Sequence, residues 1–131
     1  MDNDIKAILL RIKDNIRAIE SGCVEQPILD EVESDFRRMM ELIKLFMISE
    51  RDSYYGFILM NLSFRAAFGS TGIAGIVLNE FPPVFESNPL LLCKFSLKEI
   101  LYIVCHEIDH IVLNHPAEMI RLGRNDPDLL M

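Results

Sequence analysis

The sequence is poor in the residues on which nucleic-acid-binding and disulfide-stabilised proteins depend. Its 13 basic residues are outnumbered by 20 acidic ones, so the formal net charge is −7 and no basic patch is available to neutralise phosphates. Its three cysteines (Cys23, Cys93 and Cys105) are odd in number and lack Cys-x-x-Cys spacing, which is unlike a disulfide framework. We therefore expect no nucleic-acid partner, and thiols that are buried and reduced.

The sequence also lacks long apolar runs, and its first residues do not have the charge pattern of an export signal. No hydrophobic stretch approaches the roughly 20 residues that a helix needs to cross a bilayer. The first residues, Met1-Asp2-Asn3-Asp4, are acidic, whereas a signal peptide begins with basic residues. We therefore expect a cytoplasmic protein without a membrane segment. With 131 residues, of which 50% are hydrophobic, the chain has the size of one domain with a real core.

Two amphipathic helices are predicted in about the first 50 residues. Apolar residues at helical spacing run from about residue 4 to residue 20, and Gly22 is a natural stop. A second apolar stripe begins near Pro27, which suits the first turn of a helix, and reaches Met47. The two stripes are expected to pack against each other.

A small sheet is predicted in the part of the chain that follows, at about residues 53–131. Residues 53–60 are too apolar to be exposed and favour a short helix, whereas 61–66 alternate as a strand does. Residues 73–78 are the best strand candidate, and prolines and Asn88-Pro89 mark turns after it. The pattern predicts a single α+β domain.

The pattern with a chemical meaning is His106-Glu107-Ile108-Asp109-His110. A helix turns by about 100° per residue, so residues i and i+4 are neighbours on one face. His106 and His110 can therefore point both imidazoles at one Zn²⁺. Glu107 is the residue type that takes a proton from water at such sites.

The helix that carries this motif is well marked in the sequence. Ser96 and Glu99 form a capping box at its start. A helical wheel places His106 and His110 opposite an apolar side, with Glu107 between the two faces. The apolar side consists of Leu101, Val104, Cys105, Ile108, Ile111 and Val112.

A third zinc ligand is predicted from beyond the end of this helix. Asn114 readily adopts the left-handed conformation, and Pro116 pushes the residue before it out of the helical region. The helix is therefore expected to end at Asn114, and the turn would bring His115 back toward the metal. The alternative is that His115 is a surface histidine beside a helix end.

From about residue 53 to residue 131 the sequence resembles the metallopeptidase domain of VWA-like predicted metal-dependent peptidases. The resemblance rests on four elements: Tyr54-Tyr55-Gly56-x-x-Leu59, Asn88-Pro89, Ser96-Leu97-x-Glu99 and His106-Glu107-x-x-His110-x-x-x-x-His115-Pro116. It implies a zincin-like α+β domain with N-terminal helices, a small sheet and an active-site helix. In that domain His106, His110 and His115 would bind zinc, and Glu107 would be the general base. Such domains continue into a von Willebrand A-like domain, and the apolar end of this chain is expected to be an internal point of a longer protein.

The function expected from these features is zinc-dependent hydrolysis of peptide bonds in a peptide or protein substrate. One alternative is a catalytically inactive metallopeptidase-like module that binds other proteins. Another is a peptide deformylase-like amidohydrolase, because with Asp109 the motif reads His-Glu-x-Asp-His, which is similar to the motif of peptide deformylases. Those enzymes need a cysteine ligand upstream of the helix, and the surroundings of Cys93 do not match. If the chain is not a deformylase, Asp109 would either accept a hydrogen bond from an imidazole N–H and so orient the ring, or be a solvated acid on the helix surface.

Three tyrosines (Tyr54, Tyr55 and Tyr102) are available as oxyanion stabilisers. The sequence does not predict the oligomeric state.

Overall fold

Helices make up most of the fold, and a three-stranded sheet is inserted between them. The protein is described by a computed structural model at residues 2–22 and 24–121, with side chains described as far as His110. The expected α+β class is confirmed. The elements are α1 (Asp2–Glu20), α2 (Gln26–Phe46), a π-helical turn (Met47–Arg51), α3 (Ser53–Met60), β1 (Ser63–Ala66), β2 (Ala74–Val77), β3 (Val84–Ser87), α4 (Pro89–Leu92) and α5 (Leu97–Arg121).

The two N-terminal helices, α1 and α2, form the largest part of the core. Their predicted apolar stripes are confirmed, since Ile5, Ile12, Phe36 and Met40 are all completely buried. Burying a side chain of this size contributes about 1.5–3 kcal/mol relative to leaving it in water. At the margin of this interface the Arg11 guanidinium donates to the Asp35 carboxylate at 2.8 Å and 3.3 Å, which joins the two helices outside the apolar contact.

The sheet has the strand order β1-β3-β2, so its central strand is the last one in sequence. Strands β1 and β3 are parallel, whereas β2 and β3 are antiparallel. Phe85 of β3 pairs with Phe64 on one side and Ile76 on the other, and the Phe64 and Phe85 rings meet edge to face. The sequence pattern predicts no element at residues 84–87. A four-residue strand between prolines and Asn88 is too short for its alternation to be recognised.

The sheet is fastened to α2 at the edge formed by β1. The Lys44 ammonium group is almost buried, donates to the backbone oxygen of Leu62 at 3.2 Å and lies 4.7 Å from the centre of the Phe64 ring. A charged group at such depth needs partners, and here a carbonyl, an aromatic face and the Glu41 carboxylate at 3.0 Å provide them. On the other side of the sheet, β2 packs against α5.

The predicted turn at Asn88 and the capping box at Ser96 are both confirmed. The Asn88 side chain accepts from the backbone N–H of Leu90 and donates to the carbonyls of Phe68 (3.0 Å) and Ser70 (2.8 Å). The Ser96 hydroxyl accepts from the Glu99 N–H at 3.2 Å, and the Glu99 carboxylate accepts from the Ser96 N–H at 3.0 Å. Hydrogen bonding of the Ser96 backbone N–H, and secondly of the Ser96 side chain, to the Glu99 carboxylate holds the pKa of Glu99 below its ordinary value.

The predicted end of the motif helix is wrong. Helix α5 continues through Asn114 and Pro116 as far as Arg121. Both residues disfavour a helix locally, but the residues that follow Pro116 are mostly strong helix formers, and local propensity is a weak preference that neighbours override. The bend that was expected to return His115 to the metal is therefore not observed.

Two of the expected buried thiols lie in the described part of the chain, and neither is in a disulfide. Cys93 is completely buried and Cys105 is half-buried. Cys23 lies outside the described residues. None of the described helices combines the length and the apolar character that crossing a membrane requires.

Candidate metal centre

Helix α5 separates its apolar and polar residues as the sequence predicted, in the part where side chains are described. Leu101, Val104 and Ile108 are buried against the core, whereas His106 is exposed and His110 is half-buried. The core contacts therefore hold the helix in one rotation about its axis. That rotation places the two histidines on the surface of the domain.

The two imidazoles are close enough to bind the same ion. The Nε2 atoms of His106 and His110 are 3.0 Å apart, and the ring centres are separated by 4.5 Å with the planes at 80°. In a tetrahedral zinc site with Zn–N distances of about 2.0–2.1 Å, two ligand nitrogens are roughly 3.3 Å apart. The donor pair therefore fits a zinc ion with a small adjustment, provided that each ring carries its proton on Nδ1 and offers the Nε2 lone pair.

The remaining members of the predicted site are only partly described. Glu107 follows His106 directly and is half-buried, and its carboxylate makes no hydrogen bond or ion pair with the side chains that the structure describes. No group of three histidine, cysteine or acidic side chains suited to a metal is present among the described residues. The side chain of His115 lies outside them, so its role as the third ligand stays a prediction.

Tyr102 lies one helical turn before His106 and covers its ring. The two rings are stacked with a centre-to-centre distance of 6.0 Å and an interplanar angle of 13°. Tyr102 itself is 70% exposed, so it forms a ridge on the surface of α5. His106 thus has an aromatic neighbour one turn before it and a second imidazole one turn after it.

Asp109 has a partner that the sequence did not predict. The Tyr55 hydroxyl, on α3, donates to the Asp109 carboxylate at 2.7 Å, although the two residues are 54 positions apart. The hydrogen bond to Asp109, with burial adding to it, raises the pKa of Tyr55 to about 12, so the phenol keeps its proton. Asp109 therefore neither orients an imidazole within the described residues nor points freely into solvent; it ties α5 to α3.

Gly56, next to Tyr55 in α3, lies directly against the π-helical turn. A Cβ atom at this position would lie 2.6 Å from the backbone nitrogen of Ile48, closer than packed atoms approach. The absence of a side chain therefore lets α3 pack directly on the π-helical turn.

A cleft of about 410 Å³ lies between the π-helical turn, the start of α3 and α5. Burial raises the pKa of the Cys105 thiol in its wall; the Asp109 and Asp52 carboxylates act in the same direction and Arg51 opposes them. Because Tyr102 belongs to the wall as well as to the stack on His106, the cleft adjoins the histidine pair. Its lining residues are Met47, Arg51, Asp52, Tyr55, Lys98, Leu101, Tyr102 and Cys105.

No protein-family model, curated protein or solved structure matches this chain. The resemblance to the metallopeptidase domain therefore rests on the motifs in the sequence.

Proposed function

We propose that this chain is a zinc-dependent peptide hydrolase with a zincin-like active-site helix. The observation that supports the proposal is the 3.0 Å separation of the His106 and His110 Nε2 atoms on the surface of α5. A helix that merely filled the core would have no reason to expose two neighbouring imidazoles beside a carboxylate. His115 is proposed as the third ligand on the strength of the sequence motif alone.

In the proposed reaction, the metal and the side chains of the protein have different roles. Bound zinc would act as a Lewis acid, which lowers the pKa of water and polarises a carbonyl group. Glu107, next to His106 in the chain, would accept a proton from the attacking water and deliver it to the leaving amine. Tyr102 would keep the His106 ring in place, and the Tyr55–Asp109 bond would hold the helix that carries both histidines.

Strand β2 offers a way to bind an extended peptide near this helix. It is one of the two edge strands of the sheet and packs against α5. Within the described residues no backbone hydrogen bond joins the outer edge of β2 to another segment. An extended chain can add to such an edge through its own backbone groups, which is consistent with a peptide as substrate.

A Glu107→Gln variant tests the proposal. The variant should retain about one zinc per chain, because both imidazoles are untouched, and should lose hydrolysis of a peptide pool by roughly 100-fold or more, because the proton acceptor is gone. Elemental analysis and mass spectrometry of the digested pool measure the two effects. The matched control is Glu25→Gln, an exposed glutamate before α2 that caps no helix through its side chain. Equal hydrolysis by Glu107→Gln and the unaltered chain, or hydrolysis that persists after chelation, would contradict the proposal.

A non-catalytic module that binds other proteins is the second candidate. The continuous helix through Asn114 favours it, because the predicted route of His115 to the metal depended on a bend. In that case the purified chain should contain no stoichiometric zinc, or should contain zinc and cut no peptide.

A deformylase-like activity has less support. Its cysteine ligand would have to be Cys93, whose thiol is completely buried and has a pKa raised by burial to about 12. A metal ligand needs a thiolate, which this environment opposes. Including formylated peptides in the same pool distinguishes this activity from cleavage within the peptide chain.

A further inference from the structure

We infer that the cleft beside Tyr102 is a substrate subsite in which Arg51 and Lys98 bind a carboxylate. This inference rests on the proposed hydrolase and specifies its substrate: a peptide with an acidic side chain or a free C-terminal carboxylate close to the bond that is cut. Three observations support the inference: the residues that line the cleft, the lack of acidic partners for its two cations among the described side chains, and its position next to His106.

The two cations of the cleft differ from most of the basic residues in the described part of the chain. Seven basic side chains form ion pairs with acidic residues there: Lys6, Arg11, Arg17, Arg37, Lys44, Arg65 and Lys94. Arg51 and Lys98 are exposed and pair with no acidic residue among the described side chains. In a protein with a net charge of −7, two such cations facing one cleft are available for an anion from outside.

The carboxylates near the cleft are already engaged with α3. Asp52 caps that helix and accepts from the backbone N–H of Tyr54 at 3.0 Å. Asp109 accepts from the Tyr55 hydroxyl at 2.7 Å. Their charges offset part of the field of the two cations, but their hydrogen bonds are directed at α3. The donors of Arg51 and Lys98 have no such partner within the described residues.

The shape of the cleft suits a carboxylate on a short apolar stem. Its volume of about 410 Å³ lies within the usual range for small-ligand sites. Met47 and Leu101 provide apolar contact, and Arg51 can hold a carboxylate through two parallel hydrogen bonds. A larger groove of about 610 Å³ shares Tyr102 and Lys98 with the cleft, but its lining contains no second cation among the described residues.

Tyr102 connects the cleft to the candidate metal centre. Its ring forms part of the wall of the cleft and is stacked on His106. A carboxylate bound by Arg51 and Lys98 would therefore lie next to the histidine pair, separated from it by one aromatic ring. That placement makes the carboxylate a feature of a residue close to the bond that is cut.

Peptide binding tests the inference separately from hydrolysis. Two pairs of acetylated alanine-based peptides serve as probes: one pair ends in a carboxylate or a carboxamide, and the other is amidated and contains one glutamate or one glutamine. Binding is measured by calorimetry on the Glu107→Gln chain, so that no probe is cut. We expect the charged member of at least one pair to bind about tenfold more tightly than its neutral counterpart, since a charge-assisted hydrogen bond commonly has this effect. The pair that shows the preference identifies the source of the carboxylate.

Substitutions then assign the preference to the cleft. Arg51→Gln and Lys98→Gln should each remove most of it, whereas Arg38→Gln, at an exposed arginine of α2 outside the cleft lining, should leave it unchanged. Equal binding of charged and neutral probes, or a preference that survives both cleft substitutions, would overturn the inference. A chain that prefers carboxylates through this cleft but cuts no peptide would disprove the hydrolase and leave the subsite standing.

Discussion

The α1–α2 pair and the outer face of α5 differ in how far their side chains are buried and in whether their charges are paired. In the helix pair, large side chains such as Phe36 and Met39 are completely buried, and the charged residue Asp35 at the margin has a partner. On α5 the polar face exposes Tyr102 and His106, and the nearby cleft contains cations without partners among the described residues. The contacts of the α1–α2 pair stabilise the fold. The exposed residues of α5 and the cations of the cleft contribute little to the free energy of unfolding and are therefore better explained by binding.

Paired substitutions in these two regions should give the largest contrast in stability. Phe36→Ala should lower the free energy of unfolding by about 3–5 kcal/mol, because it leaves a cavity in a closed core. His106→Ala should change the stability of the metal-free protein by no more than about 0.5 kcal/mol, since its side chain is exposed. Urea unfolding in the presence of a chelator measures both. A large loss with His106→Ala would mean that the imidazole has a structural role.

Gly56→Ala tests the close approach of α3 to the π-helical turn. The added methyl group would meet the backbone of Ile48 at 2.6 Å, so α3 must move away from the π-helical turn. We expect a loss of about 1–3 kcal/mol by thermal or urea unfolding. Gly75→Ala is the control, because a Cβ there would meet nothing within 4 Å. Equal effects of the two variants would show that α3 does not need this close approach.

Tyr55→Phe tests the bond between α3 and α5. Removing the hydroxyl leaves the Asp109 carboxylate without its 2.7 Å partner, and we expect a loss of about 1 kcal/mol. The control is Tyr54→Phe, since the neighbouring Tyr54 is more exposed and its hydroxyl makes no hydrogen bond within the described residues. The ultraviolet titration of Tyr55, compared with the variant, should show the pKa near 12. An ordinary tyrosine pKa would contradict the bond.

The capping box at the start of α5 should contribute a modest effect, part of which should depend on pH. Ser96→Ala is expected to cost about 1 kcal/mol at pH 7. The pKa of Glu99 is lowered in the folded protein, so its contribution is complete above the ordinary value of 4.5 and is lost as the pH falls through the lower folded value. The difference in melting temperature between Glu99→Gln and the unaltered chain should therefore narrow in acid. A difference that does not vary with pH would mean that Glu99 does not take part in the cap.

Local patterns in the sequence predicted the helices well and the sheet incompletely. The stripes of α1 and α2, the start of α5 at Ser96 and the turn at Asn88 all depend on residues within a few positions of each other. Strand β3 was missed because its position at the centre of the sheet depends on partners elsewhere in the chain. The predicted end of α5 at Asn114 was wrong because two local preferences were treated as decisive.

The sequence by itself determined that His106 and His110 share one face of a helix, because a separation of four residues is close to one helical turn. It likewise determined which side of that helix is apolar, because amphipathic periodicity is a local property. Only the tertiary structure decided that Tyr55 bonds to Asp109, that β3 lies between β1 and β2, and that Arg51 and Lys98 meet in one cleft. These contacts join segments far apart in the chain, and their geometry depends on how the helices pack rather than on the residues next to them.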